Sequence, residues 1–529
     1  MTPWAQQYDP LGSPAASTLV ALLPVAVLLG LLASHRVRAH WAALGGLLAA
    51  LLVAVLGIGM PTGLALRAAG FGAAYGLFPI GWILIHVLFL YRLSVAQGRF
   101  AVLQTSIAGI TSDRRLQLVL VAFAFGAFFE GAAGFGTPVA VTSAILIGLG
   151  FPALEASVFS LIANTAPVAF GALGTPLIAL EGVTGLDLRA LSAMVGRQLP
   201  VFSLLIPFWL VAAYAGWRRM REVWPPLLVA GAAFALPQHL VAVHHGPWLV
   251  DVIASVCSMT ALTLFLRVWR PEPARTVLPR ADVLRAWAPW AILTIVVFAW
   301  GTPQVKAWLN GLSAPAFPVP GLHQQVVRSA PVVADPTAEP AVFLFNWLSA
   351  TGSGIALAAV LGGLVMGAGP RQLARAYVAT LRGLGPSLVT IAAMMAVGYV
   401  TRYSGGDAIL GLAFARTGLF FPFFGALLGW LGVALTGSDT SSNVLFGNLQ
   451  VVTARQVGVD PVLMAAANSS GGVMGKMIDA QSIVVASAAT GTSGDEGIIL
   501  RRVFGHSLAL AALMGLWVLL QARGLLGAG

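Results

Sequence analysis

Long apolar runs separated by short basic gaps recur from end to end of the chain. They are read at about residues 17–34, 41–59, 76–93, 198–217, 248–266, 286–301, 350–368, 384–400 and 504–520, with others between. Each approaches the roughly 20 apolar residues that one helical crossing of a bilayer needs. The period-2 alternation of a membrane barrel is absent, so every run is a candidate helix. The pattern predicts an all-α polytopic membrane protein of roughly 12–14 transmembrane segments, with no separate soluble domain.

Composition sharpens this. Of 529 residues, 58% are apolar and 9% charged, against about 25% charged in a soluble domain. Such a chain cannot cover a water-facing surface, which excludes a soluble enzyme, a disordered chain and a disulfide scaffold. A net charge of +11 could suggest nucleic acid. The basic residues, however, sit in gaps between apolar runs, the pattern of loops on a cytoplasmic membrane face. The link His35-Arg36-Val37-Arg38-Ala39-His40 is therefore placed in the cytoplasm and the N-terminus outside it. Arg92, Arg99, Arg114 and Arg115 mark the next cytoplasmic exit, followed by Arg218, Arg219 and Arg221, by Arg267 to Arg285, and by Arg371, Arg375 and Arg382. The N-terminus lacks the basic region of a cleavable signal peptide. The Pro-rich stretch 302–340 is expected to be an extracytoplasmic loop with little regular structure. The single cysteine, Cys257, allows no intrachain disulfide.

Two regions do not read as lipid-facing helices. The first holds Glu130-Gly-Ala-Ala-Gly134-Phe-Gly-Thr137-Pro138, then Ala163-Asn164-Thr165-Ala166-Pro167 and Gly171-Ala-Leu-Gly-Thr175-Pro176. The second holds Thr436-Gly-Ser-Asp439-Thr440-Ser441-Ser442-Asn443, then Ala467-Asn468-Ser469-Ser470-Gly471-Gly472 and Gly475-Lys476. Unpaired backbone groups in lipid cost several kcal/mol each, so such segments survive only where protein or a watery cavity surrounds them. Broken helices and re-entrant hairpins meet that condition. Gly134 to Thr137 matches Gly437 to Thr440, and Asn164 matches Asn468, at nearly the same offset. Read against the basic gaps, the helix entering the first break runs from inside to outside and the one entering the second runs the other way. This predicts two inverted repeats, a secondary-transporter signature that points to a midplane site. The expected division is residues 1–230 for the first repeat with its hairpin region at about 116–182, 231–301 for connecting helices, 302–340 for the loop, and 341–529 for the second repeat with its hairpin region at about 417–491. Close packing of small-residue helices is the plainer alternative, but it does not require Asn, Asp, Lys and paired Thr-Pro steps.

At these residues the sequence resembles the lactate permease family. The strings that carry the likeness are FEGAAGFGTPVAV (129–141), ANTAPVAFGALGTP (163–176), TGSDTSSNVLFGNLQVVTARQ (436–456) and AANSSGGVMGKMIDAQSI (466–483). The resemblance implies a bacterial inner-membrane carrier that imports lactate and related 2-hydroxymonocarboxylates such as glycolate by proton symport. It also implies kinship with elevator-type ion transporters, in which Asn-Thr breaks at hairpin tips bind substrate, here Asn164-Thr165 and Asn468-Ser469-Ser470. No cofactor and no metal site is expected, and the chain is not expected to be an enzyme.

A site for a small hydroxy acid must hold a carboxylate and a hydroxyl and release both. Broken-helix N-termini supply free N–H groups, including those around Gly134. Thr137, Asn164, Thr165, Thr440, Ser441, Asn443, Asn468, Ser469 and Ser470 supply neutral donors and acceptors. Each could instead cap a helix or bond back to the turn before it. Charges inside the membrane are more informative because they are expensive. Lys476 is one of two lysines in the chain, the other being Lys306. It can neutralise a substrate carboxylate, pair with Asp439 or Asp479, or reach the interface. Glu130 and Asp439 hold nearly matching places in the repeats, and one of them, Glu130 by preference, is expected to carry the coupling proton. His86, Asp251 and His506 are expected to be satisfied interior residues. Gly471 to Lys476 fails as a P-loop because Met477 replaces the Ser/Thr, and no metal cluster or nucleophilic triad appears. A sodium-coupled carboxylate carrier is the main alternative, since Asn, Ser, Thr and freed carbonyls also suit Na⁺. A polytopic membrane enzyme is a distant one.

Overall fold

The computed structural model describes residues 3–33, 37–108, 110–132, 134, 137–269, 279–333, 335–492 and 495–525. The expected turn at His35-Arg36 lies outside them. Among the described residues, eleven helices are long and apolar enough to cross a membrane, or twelve if the pair Ala153–Ala163 and Val168–Thr184, bent by 67°, counts as one span. The protein is therefore a multi-pass helical membrane protein. Its largest exposed side chains include Leu19, Leu48, Leu56, Leu66, Ile295 and Leu516, apolar surface that only lipid solvates without cost.

The chain opens with α1 (Pro14–Ala33) and α2 (Ala39–Leu52). The next span, α3 (Thr62–Ala96), is longer than the predicted 76–93 and is interrupted at Phe78-Pro79, where Phe78 leaves helical geometry. Proline removes a backbone donor and clashes with the preceding turn, so the helix breaks there. Helix α4 (Arg114–Ala132) begins at Asp113, whose carboxylate accepts from the Arg115 N–H at 2.9 Å.

After α4 the chain doubles back. Helix α5 (Thr137–Gly148) packs back along α4, with the Thr142 methyl against Gly126. The Arg114 guanidinium lies 5.8 Å from the Phe151 ring centre. The two arms thus open at the same end, which also holds the Arg115–Glu222 ion pair at 2.7 Å. Helix α6 (Ala153–Ala163) climbs from this basic end, stops at Asn164, and resumes as α7 (Gly171–Thr184). At the far end of α7 the Gly182 and Val183 carbonyls each accept from Arg402, both at 3.1 Å.

Helices α8 (Leu188–Ala215), α9 (Trp224–His244), α10 (Val250–Trp269) and α11 (Arg280–Gly301) follow. The 302–340 stretch is not the irregular loop expected. It contains an amphipathic helix, α12 (Pro303–Leu312), and its strands form two small sheets. Strand β1 (Trp4–Ala5) runs parallel to β3 (Val326–Arg328), which pairs with β4 (Thr337–Ala338), while β2 (Ala316–Pro318) pairs with β5 (Val342–Leu344). The short pairings satisfy backbone groups, and a buried side-chain ion network ties the segment to α14. In that network Glu339 meets Arg328 at 2.5 Å and Arg402 at 3.0 Å.

Helices α13 (Thr351–Val365) and α14 (Pro370–Ser404) lead into the second interrupted region. Helix α15 (Phe421–Thr436) ends at Gly437, whose left-handed φ of 72° suits glycine. Helix α16 (Asp439–Val457) then turns back beside it, capped by Ser438. At its end Gln456 donates to the Pro331 carbonyl at 2.6 Å, so this hairpin opens at the sheet end. Helix α17 (Pro461–Gly475) descends from there, breaks at Lys476–Ile478, and continues as α18 (Ala480–Thr490). Thr490 meets Ser157 of α6 at 2.9 Å, back at the basic end. Helix α19 (Glu496–Ala522) closes the chain.

Glycines set how closely α15 and α17 approach. A Cβ at Gly429 would stand 2.0 Å from the Asn468 carbonyl oxygen, and one at Gly471 2.0 Å from that of Ala426. In lipid, such backbone-to-backbone contact replaces the hydrophobic drive for helix association.

Candidate functional site

Four interruptions converge on one cavity of about 150 Å³. The first hairpin supplies Glu130 and Gly134, and the α6–α7 crossover supplies Val168, Gly171, Ala172, Thr175 and Pro176. The second hairpin supplies Thr436 to Ser441, and the α17–α18 crossover supplies Lys476 and Gln481. The remaining wall is Ile80 of α3 with Ser387, Thr390, Ile391, Met394 and Met395 of α14.

The α6–α7 crossover is locally strained. Ala172 and Leu173 have φ of 43° and 55°, and Gly174 follows at 81°. Left-handed geometry costs a non-glycine residue on the order of 1–3 kcal/mol and is held only where surroundings over-determine it. Here the Pro247 ring presses on Gly174, and the turn starts α7 with free N–H groups beside the cavity.

Each carboxylate is held from behind by amide or hydroxyl donors. Glu130 accepts from the Asn164 amide at 3.1 Å. Gly171 and Gly134 lie against its Oε1, where a Cβ would stand 2.6 and 3.4 Å away. Asp439, the first residue of α16, accepts from the Ser469 hydroxyl at 2.5 Å and the Asn443 amide at 3.4 Å. Its other oxygen has no protein partner among the described residues. Lys476 is buried, donates to the Gly437 carbonyl at 2.7 Å and pairs with Asp479 at 3.1 Å. Of the three roles open to Lys476, the ion pair is therefore with Asp479, while the same ammonium also faces the cavity. Its charge acts on both Glu130 and Asp439, and the Glu130 charge reaches Asp439.

The cavity gathers Glu130, Gly134, Asp439, Thr440, Ser441 and Lys476 of the expected residues. Asn164, Asn443, Asn468 and Ser469 stand one layer behind the wall, where Asn468 donates to Asn443 Oδ1 at 3.0 Å and accepts from Gln450 at 3.1 Å. Thr165 bonds back to the Ile162 carbonyl at 2.9 Å. The buried Ser470 hydroxyl has no partner among the described residues. The side chain of Thr137 lies outside the described residues. Two expectations are corrected. Asn468-Ser469-Ser470 is not a break: α17 runs through it, and the interruption falls at Lys476, because Asn468 and Ser469 find partners across the α15–α16 hairpin. Asp251 is not a satisfied interior residue, since neither carboxyl oxygen has a partner among the described residues. His86 and His506 do have partners, the Trp82 carbonyl and the Trp209 indole.

Ser387 and Thr390 were not expected, because α14 runs unbroken through the Gly383-Leu-Gly385-Pro386 step before them. Their one signal is spacing: an i, i+3 polar pair just after Pro386 shares one face of an otherwise apolar stretch.

Toward the sheet end lies a wider vestibule lined by Glu181, Asp187, Trp248, Lys306, Asn346 and Tyr399. Lys306 stands 4.0 Å above the Trp248 ring. Partial burial, with Arg189 nearby, pulls its ammonium from 10.5 down to about 8.

A multi-pass helical protein whose broken helices meet around one cavity with buried charged side chains has the build of a membrane transporter. The sequence relations agree. The family model for L-lactate permease matches residues 17–525, and the chain belongs to that family. It is 45% identical to the glycolate permease GlcA of Escherichia coli K12, over 99% of this chain and 98% of that one. It is 44% identical to the L-lactate permease of Salmonella typhimurium LT2, over 99% and 98%. With the L-lactate permease of Bacillus subtilis 168 it shares 43% identity, over 98% of each.

Proposed function

We propose that this permease imports lactate and related 2-hydroxymonocarboxylates such as glycolate across the bacterial inner membrane by proton symport. The observation that carries the reading is the convergence of two opposed hairpins and two crossovers on one small cavity that holds a buried ammonium and two carboxyls. Lys476 and the N–H groups at the start of α7 and α16 receive the substrate carboxylate. Thr440, Ser441, Ser387 and Thr390 hold its hydroxyl. Glu130, backed by Asn164, takes the coupling proton, with Asp439 as the second candidate. An anion that travels with one proton carries no net charge, which avoids the cost of about 2.3 kcal/mol per charge per 100 mV.

The antiparallel placement of the hairpins supports inverted repeats with the expected division near residues 230 and 341, and an N-terminus on the extracytoplasmic side. Alternating access follows if the hairpin-bearing elements slide against α3 and α14, whose cavity face is mostly apolar and holds few directional bonds. The test is uptake of labelled L-lactate, D-lactate and glycolate into proteoliposomes, with pH and sodium gradients imposed separately. Accumulation is expected to follow an inward proton gradient. Accumulation that follows sodium and ignores pH overturns the proton assignment.

A further inference from the structure

Asp251 stands in the first turn of α10 and is 1% exposed. Neither of its carboxyl oxygens has a hydrogen-bond partner among the described residues. Its Cβ packs directly on Gly131, where a Cβ would come within 2.6 Å. Gly131 follows Glu130 in α4, so the two acids sit at the junction of α4 and α10, one facing the cavity and the other behind it. Other titratable groups on the elements packed against α10 are Arg114 and Arg115 at the far end of α4, His239 and His244 of α9 and Glu181 of α7. Among all of them, Glu130 is the one whose charge reaches Asp251.

An ionised carboxylate in a dry site without a donor costs several kcal/mol, so a group left in this state must be neutral or be supplied with a partner at some stage of a cycle. Among the described residues, no arginine, lysine or side-chain amide donates to it. Two neighbouring acids in such a site share a proton instead of ionising together.

We propose that Asp251 is the second member of a proton-holding pair with Glu130. This deepens the proton-symport reading and rests on it. Glu130 takes a proton from cavity water. The proton passes to Asp251, breaking the O–H bond on Glu130 and forming one on Asp251, and Glu130 regains its negative charge facing the cavity. Release retraces the step when the cavity faces the other side. Asp251 touches no substrate in this scheme and acts through Glu130.

Asp251→Asn imitates the protonated acid in shape and charge. In proteoliposomes, uphill lactate accumulation under a pH gradient is expected to fall at least tenfold, and an internal pH dye is expected to record no proton entry with lactate. Equilibrium exchange of labelled for unlabelled lactate should continue, because exchange needs no net proton release. Asp251→Glu, tested alongside, should recover part of the proton-coupled uptake. Three results overturn the assignment: normal accumulation with proton entry in Asp251→Asn, loss of exchange together with accumulation in a properly folded Asp251→Asn, or no difference between the Asn and Glu variants. Wild-type uptake driven by sodium would instead defeat the symport reading itself, so the two failures are distinguishable.

Discussion

Replacing Gly471 by Ala adds one methyl group where α17 meets α15. The new Cβ would stand 2.0 Å from the Ala426 carbonyl oxygen, 2.7 Å from its carbon and 2.9 Å from its Cα. All three are backbone atoms of a helix, so no side chain can rotate away. To reach ordinary contact near 3.4 Å, α15 and α17 must part by about 1.4 Å, which also loosens the contacts at Gly429 and Gly475. Overpacking costs about 1–3 kcal/mol where side chains can adjust, and a backbone obstacle puts this site at or above the top of that range. With an unfolding entropy scaled to a chain of this length, each kcal/mol is worth roughly 1 °C, so an apparent melting temperature about 3 °C or more lower is expected. The hairpin bearing Asp439 and the crossover bearing Lys476 would shift apart with the seam, so uptake should fall more steeply than stability. The assay is thermal unfolding in detergent by size-exclusion retention, paired with lactate uptake. Gly505→Ala is the control, since a Cβ there meets nothing within 4 Å; it should be neutral or slightly stabilising. A Gly471→Ala protein with the melting temperature and uptake of the parent would refute the close-seam argument.

Further outcomes are expected. Glu130→Gln should abolish pH-driven accumulation while retaining lactate exchange, and Asp439→Asn should reduce both because it also loosens the Ser469 contact; counterflow and pH-gradient uptake measured together check this. Lys476→Met leaves Asp479 buried without its cation, a loss of about 3–5 kcal/mol for one-sided removal of a buried pair. Adding Asp479→Asn should recover thermal stability but not lactate binding, as read by unfolding and substrate-protection assays. With a folded value of about 8 against 10.5 for an ordinary lysine, Lys306 loses its proton first in the folded protein. The unfolded chain then binds more protons between those values, so this group adds stability as pH rises from about 8 to 10.5 and nothing near pH 7. Amine-reactive labelling mapped by mass spectrometry should mark Lys306 with a midpoint near pH 8 and leave buried Lys476 largely unmodified; equal labelling of both would contradict the placement.

The spans were legible in the sequence because a bilayer dictates both length and polarity. The first crossover was legible for a related reason: Asn164 to Pro167 combines poor helix formers with a proline, and α6 stops there. The second crossover was misplaced because Asn468, Ser469 and Ser470 give the same local signal for another cause. The side chains of Asn468 and Ser469 bond to Asn443, Gln450 and Asp439 across a hairpin, and the backbone stays helical until Lys476. That difference lies in tertiary partners, which a string of residue types does not encode. Ser387 and Thr390 were hidden inside a continuous helix for the same reason. Asp251 was misjudged because burial of an acid predicts a partner in most folds, and the missing partner became visible only when every neighbour was in place. Part of the order within 302–340 comes from the pairing of β3 with Trp4 and Ala5, too distant in sequence to be guessed as a strand partner.

That last pairing also constrains how the molecule is built. Trp4 and Ala5 find their hydrogen-bond mates only once Val326 and Val327 have emerged, after the helices that lie between them in sequence have been made. Until then the strand before α1 is unpaired, and the stitch closes over helices already in place. A fusion joined directly to Trp4 would crowd that stitch, whereas one separated by a flexible spacer would leave it free to form.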